Sequence, residues 1–301
     1  MKLIGTSSDA AAFLPRRLDH LKRHFSSGDV RVIYKGYEGH HRWGDQNERP
    51  VVWVADPLRK TPDQPPRNVD IACWISFDDH RHHEPAPNEP RLARASDFDI
   101  VFVSQADYGP LYVRAGAKSF RWLPHDVIEE WLPTKPRPAE SEFEFDVSMA
   151  GRGHPGSRKP HQEREDVLLA IQKTGLRCWF GSGLSKADML DLYRRSKMVI
   201  NRTRTRDFNA RITEATVAGA LLLTDKAKNG FPSLFCDGHS CLTYETPEQA
   251  ANLAVLASKE SEFRERIAAK GKEIAMANLT ADKVVERFAK AIIEAVNSSR
   301  G

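Results

Sequence analysis

The chain has 301 residues, 40% of them hydrophobic and 29% charged, and a formal net charge of +4. This composition excludes a disordered or fibrous chain, and the length suits one large domain or two ordinary ones. No apolar run approaches the roughly 18 residues that cross a bilayer, and so mild a positive charge suits anionic ligands without implying nucleic acid.

Strands and helices alternate from the start. Lys2–Thr6 reads as a strand, and 13–25 as a helix with Leu14, Leu18 and Leu21 on one face. Val30–Tyr34, Val51–Val54, Ile71–Ile75 and Ile100–Val103 are short apolar runs of the kind buried on both faces of a parallel sheet. Phe120–Pro124 closes this half. The segment 132–142, with three prolines and several charges, marks the domain boundary. The expected division is an N-terminal domain over 1–135, a second domain over 136–279 and a C-terminal helix, 280–301, that crosses back to the first.

The second half repeats the rhythm. Phe143–Ala150, Leu176–Phe180, Lys197–Ile200 and Leu221–Thr224 read as strands. A capping box, Ser185 to Asp188, opens one helix, and Asn209–Ala218 is another. Thr246, Pro247 and Gln249 open a third, and Val284, Phe288, Ile292 and Val296 share one face of the last. The expected fold is α/β: two doubly wound Rossmann-like domains facing a cleft. In such sheets ligands bind at the carboxyl ends of the strands, which makes the cleft the default site.

The stretch VSMAGRGHPGSRKP, residues 147–160, contains G-x-G-x-x-G as Gly151, Gly153 and Gly156. A dinucleotide fingerprint needs a direct strand–turn–helix and an acid about 20 residues on. Here Pro155 and Pro160 delay the helix to about His161, and the next strand ends in Gly181-Ser182-Gly183 without a carboxylate. What remains is a glycine loop with Arg152, Arg158 and Lys159, which suits a diphosphate; a solvated basic loop is the alternative.

The segment 192–225 carries a family resemblance. Arg211-Ile212-Thr213-Glu214-Ala215, then Ala218-Gly219-Ala220 and an apolar strand, resemble the donor domain of GT-B glycosyltransferases, above all the group 1 retaining class and its CgeB-like relatives. Phe235–His239, Pro247-Glu248, the EFDVSMAGR stretch and residues 98–125 fit the same order. The resemblance implies a glycosyltransferase that moves a sugar from a nucleotide-diphosphate sugar. The donor would lie on Gly151, Arg152, Arg158, Lys159, Gly181, Ser182, Gly183, Arg206, Asp207, Asn209, Arg211 and Glu214. Glu214, in a helix N-terminal turn, would accept the ribose hydroxyls, or serve as an ordinary helix acid. Arg211 would face the diphosphate or pair with Glu214 across a helical turn. Members of the class usually carry two glutamates with seven residues between them. The first position here is Arg206, followed by Asp207, so the sugar-facing acid is missing or displaced.

Asp78, Asp79, His80, His82, His83 and Glu84 are metal-ligating residue types, but no distant partner ligand accompanies them. A polar loop at a strand's carboxyl end is the simpler reading, and Asp79, His80 and His125 are candidate catalytic groups that would position or deprotonate the acceptor. Gly5–Asp9 is a further loop for the cleft. No metal or other cofactor is expected. The acceptor, glycan, small molecule, protein or nucleic acid, stays open; the basic stretch 16–42 would suit phosphates or be a solvated face. A nucleotide-sugar epimerase and a non-catalytic nucleotide-sugar-binding protein are the alternatives. Four scattered cysteines without a C-x-x-C pair, and a start lacking a signal-peptide pattern, fit a cytoplasmic protein.

Overall fold

The computed structural model describes residues 2–7, 13–25, 31–36, 51–56, 62, 64–67, 69–76, 89–153, 162–203 and 205–299. The chain divides into two compact units, Met1–Pro124 with Ala281–Gly301, and His125–Thr280. The stretch 132–142 lies inside the second.

In the first unit, β1 (Lys2–Ser7), β2 (Arg31–Gly36), β3 (Val51–Ala55), β4 (Ile71–Ser76), β5 (Ile100–Val103) and β6 (Ser119–Trp122) form one sheet in the order β2-β1-β3-β4-β5-β6. Every pairing in it is parallel. Side chains alternate across the sheet. Val52, Val54, Cys73, Ile75 and Phe102 face one core; Trp53, Ala55, Trp74, Val101 and Val103 face the other. With both faces covered, β3, β4 and β5 read as nearly unbroken apolar runs. The C-terminal helix Ala281–Ser298 belongs to the first of these cores, and its Phe288 ring lies 4.6 Å from Phe102 and 5.6 Å from Phe13.

The single helix expected over 13–25 is two, α1 (Phe13–Arg16) and α2 (Leu18–Phe25), with a turn at Arg17. The Arg17 side chain donates to the Phe13 carbonyl at 3.2 Å, the acceptor that residue 17's own amide would use in an unbroken helix. In the basic stretch, Lys22 lies 3.6 Å from Asp19, and Arg23 3.6 Å from Asp282. Arg42 lies outside the described residues. Two further short helices, α3 (Glu89–Leu92) and α4 (Gly109–Arg114), lie among the described residues of this unit.

In the second unit, β7 (Phe145–Ala150), α5 (Gln162–Gln172), β8 (Cys178–Gly181), α6 (Lys186–Arg194), β9 (Ser196–Asn201), α7 (Ala210–Val217), β10 (Leu221–Asp225), α8 (Phe231–Leu234), β11 (Leu242–Tyr244), α9 (Pro247–Lys259) and α10 (Ser261–Asn278) follow in sequence. The sheet is parallel in the order β11-β10-β9-β7-β8. Val147, Met149, Met198, Ile200, Leu221 and Leu223 pack against α5 and α9 through Val167, Leu168, Ile171, Ala250 and Ala254. Ser185 caps α6 by accepting from the Asp188 amide at 3.1 Å, and Thr246 caps α9 by accepting from the Gln249 amide at 3.2 Å. Gln249 itself accepts from Glu245, one residue short of the reciprocal bond of a capping box. α10 was not among the elements read from sequence.

From β7 the chain runs to β8 on one side and then to β9 on the other. The order therefore reverses at β7/β9, and the crevice outside the carboxyl ends of these strands is the topological switch point, where open α/β sheets bind ligands. Among the described residues no helix is long and apolar enough to cross a membrane.

Candidate functional site

Three loops leave the carboxyl edge of the second sheet around the switch point: 151–153 after β7, 182–185 after β8 and 202–209 after β9. The first turns sharply. Gly151 has φ 140° and Gly153 φ 79°, and the Gly151 amide donates to the Gly181 carbonyl at 2.7 Å. The φ of Gly151 is one that side chains rarely adopt, and a Cβ there would stand 2.5 Å from Arg211 Nη2, so that guanidinium would have to leave its place.

Arg211 is the clasp of the switch point. Its Nη2 donates to the Ala150 carbonyl at 2.9 Å and its Nη1 to Asn201 Oδ1 at 2.9 Å, joining the ends of β7 and β9. Asn209 adds a donor to the same Asn201 oxygen at 3.1 Å, and Asn201 donates to Thr224 Oγ1 at 3.0 Å. The hydroxyl of buried Tyr193 accepts from the Ala150 amide at 3.2 Å.

Glu214 is 6% exposed and sits in the second turn of α7, not in its first turn, which has no acid. The sequence alternative that Arg211 pairs with it is not what folds. Arg211 is turned to Ala150 and Asn201, whereas Lys186, the first residue of α6, forms an ion pair and hydrogen bond with Glu214 Oε1. The reason is direction: Arg211, in the first turn of α7, reaches back to the strand ends, while Glu214, almost a turn on, meets the neighbouring helix.

The loop after β9 is anchored by Asp225 at the end of β10. Buried Asp225 accepts from the Thr203 amide at 3.0 Å, from Thr203 Oγ1 at 2.5 Å and from Arg202 Nη1 at 2.7 Å. Arg164, on α5, ties this loop to the glycine loop by donating to the Arg202 carbonyl at 2.7 Å and the Arg152 carbonyl at 2.5 Å. Arg206, exposed, takes a left-handed φ of 56°, and its carbonyl accepts from the Lys228 amide at 2.7 Å. Non-glycine residues rarely adopt that conformation, and strain of this kind concentrates at functional sites.

Of the residues nominated from sequence, the fold gathers Gly151, Arg152, Gly181, Ser182, Gly183, Arg206, Asp207, Asn209, Arg211 and Glu214 onto the carboxyl edge or the helix that leaves it. Arg152, Ser182 and Gly183 are exposed. His125 joins them through its backbone: Thr213 Oγ1, on α7, donates to the His125 carbonyl at 2.7 Å. Gly156, Arg158, Lys159, Asp79 and His80, with the rest of the 78–84 cluster, and Ser8 and Asp9 of the N-terminal loop, lie outside the described residues. Lys186, Arg164 and Asn201 went unread. Lys186 was accessible to inspection, because a cation at the first position of a helix opposes the helix dipole and asks for a reason.

The glycosyl transferase-like family matches residues 137–290. A search of the curated proteins returned no match. Among solved structures, HepE from Anabaena, in complex with UDP and glucose, superposes with a TM-score of 0.61 at 11% identity, covering 98% of this chain and 100% of that one. Sucrose-phosphate synthase from Thermosynechococcus elongatus gives 0.59 at 12% identity over 99% and 100%, and a glycosyltransferase from Rickettsia africae 0.58 at 10% over 98% of each chain. At such identities the likeness speaks for the fold, and that fold is GT-B. The match over half of its length and the two Rossmann-like units together place this chain in the glycosyl transferase-like family, as a glycosyltransferase with the GT-B fold.

Proposed function

We propose that the enzyme takes its sugar from a nucleoside diphosphate donor of the UDP type, held at the carboxyl edge of the second unit. The observation that carries this reading is Glu214: a buried carboxylate beside the switch point whose hydrogen-bond donor, among the described residues, is Lys186 alone. A carboxylate has lone pairs for several donors, and a ribose diol supplies two. The likeness to HepE, solved with UDP and glucose, supports UDP as the nucleotide. Arg152, Arg158, Lys159 and Arg206 are the cations proposed to receive the diphosphate.

In the transfer, the bond between the anomeric carbon and the β-phosphate oxygen breaks and a bond to an acceptor oxygen forms. The leaving phosphate takes up the acceptor proton, and retention follows if the group 1 resemblance extends to mechanism. Fixed cations aimed at the developing phosphate charge stabilise it without an ion, so the reaction is proposed to be metal-independent. His125, Asp79 and His80 are proposed to orient the acceptor hydroxyl toward that phosphate.

The test is a thermal-shift panel of UDP, UDP-glucose, other nucleotide sugars and NAD, followed by transfer assays with and without EDTA. A UDP ligand is expected to raise the unfolding midpoint by mass action, unaffected by EDTA. Tight NAD binding with no response to any nucleotide sugar would contradict the donor assignment. Loss of transfer in EDTA, restored by magnesium, manganese or zinc, would contradict metal independence. Conversion of the donor sugar without acceptor would mark an epimerase.

A further inference from the structure

Lys186 breaks a local rule. As the first residue of α6 it places a positive charge at the positive end of the helix dipole, although Ser185 and Asp188 obey the usual preferences there. What it gains is Glu214, across on α7. The two ends of this pair differ. The Glu214 side chain is 8% exposed and that of Lys186 46% exposed, so the carboxylate is fixed by the fold while the ammonium arrives from solvent. Tyr193 of α6, a phenol whose pKa burial pushes up, lies within electrostatic reach of Glu214, while the Nη atoms of Arg211 on α7 are engaged by Ala150 and Asn201. Lys186 is therefore the one described cation bonded to this carboxylate.

We propose that Lys186 is a positioning residue for the donor: its ammonium holds the Glu214 carboxylate in one orientation, so that the nucleotide's ribose hydroxyls meet a fixed acceptor. The inference rests on the reading of Glu214 as the ribose carboxylate and adds how that carboxylate is kept ready. A buried carboxylate is costly to leave unpaired, and an oxygen held in one orientation by a charge-assisted hydrogen bond meets a hydroxyl better than a rotating one. Lys186 occupies Oε1, and no described donor reaches Oε2. The lysine reaches the site only because the 182–185 loop delivers α6 beside α7, a placement that neither helix dictates alone.

The test compares UDP with 2′-deoxy-UDP by calorimetry, because their ratio cancels the titration of the shared diphosphate. Wild type is expected to prefer UDP by about tenfold, the effect of one charge-assisted hydrogen bond. Lys186→Met and Lys186→Gln, two neutral variants of different polarity, should bring the ratio close to one. Lys186→Arg should restore most of it, and the unfolding midpoint should change little at this half-exposed position. A merely structural lysine would move stability and leave the ratio alone. If Glu214→Gln abolishes the preference and Lys186→Met keeps it, the positioning role is wrong and the ribose assignment stands. If wild type shows no preference, or Glu214→Gln keeps it, the ribose assignment fails and the role of Lys186 fails with it.

Discussion

The two edges of the second sheet are built by opposite rules. At the amino edge, buried Asp146 accepts from the Arg177 amide at 3.0 Å and from its Nε and Nη2 at 3.2 Å each, with Lys197 at 3.1 Å. Lys197 also meets Glu140 at 3.1 Å. Arg264, 0% exposed, is held by the Ala257 carbonyl at 2.9 Å, by Glu265 at 3.0 Å and by Glu140. Arg137 donates to the Ser196 carbonyl at 3.0 Å and to Glu265 at 3.2 Å. At the carboxyl edge, Arg206 and Asn229 carry left-handed φ values of 56° and 58°, and Thr205 Oγ1, Asn209 Oδ1 and Arg211 Nε are buried atoms with no hydrogen bond. The amino edge ties its charges to one another, although Arg137 Nε is also unpaired among the described residues; the carboxyl edge leaves more of its polar atoms to be met from outside. In parallel α/β sheets this is the division expected between an edge that stabilises and an edge that binds.

Three substitutions probe that contrast. The largest effect on stability belongs to Arg264→Met, which keeps the bulk but removes the donors that serve Ala257, Glu140 and Glu265. It should cost about 3 kcal/mol in denaturant unfolding while UDP affinity of the folded protein stays within about twofold. Lost affinity at full stability would erase the contrast. Gly151→Ala comes next. The strained φ and the clash with Arg211 should cost about 2 kcal/mol and displace the clasp between β7 and β9, so here UDP affinity should fall as well. Unchanged affinity would mean that the glycine turn shapes the sheet and not the site.

Asp146→Asn is the smallest and is read by pH. Burial alone would raise the Asp146 pKa, but hydrogen bonds from the side chain and backbone of Arg177 and from Lys197 hold it below the ordinary carboxylate value. A group whose folded pKa lies below its unfolded one adds stability above the unfolded value, about 4, and that stability is lost as pH falls through the folded value. Wild-type stability should therefore drop from about pH 4 downward, and the variant, weaker by about 1–2 kcal/mol at neutral pH, should show a shallower acid limb. Parallel acid limbs would remove Asp146 from this role.

The strands were legible because burial on both faces writes them as plain apolar runs, and the caps of α6 and α9 because Ser185 and Thr246 bond to near neighbours. α10 was hidden by its charges: SEFRERIAAKGKEIAMAN shows little apolar periodicity, and its buried positions include Arg264 and Gly271. The glycine loop and the Arg211–Glu214 helix announced a site, yet the partners within it were not readable. Lys186 and Glu214 are 28 residues apart, and Arg211 and Ala150 are 61 apart. Such contacts are set by which strands the topology makes adjacent, information that no local pattern carries.

The most direct measurement is hydrogen–deuterium exchange of the second unit with and without saturating UDP-glucose. The account predicts added protection in the peptides covering 150–153, 181–186 and 201–214, at the carboxyl edge, and no change in those covering 137–146, 177 and 257–265. Protection at the amino edge instead, or none anywhere in the second unit while ligand is bound, would contradict it.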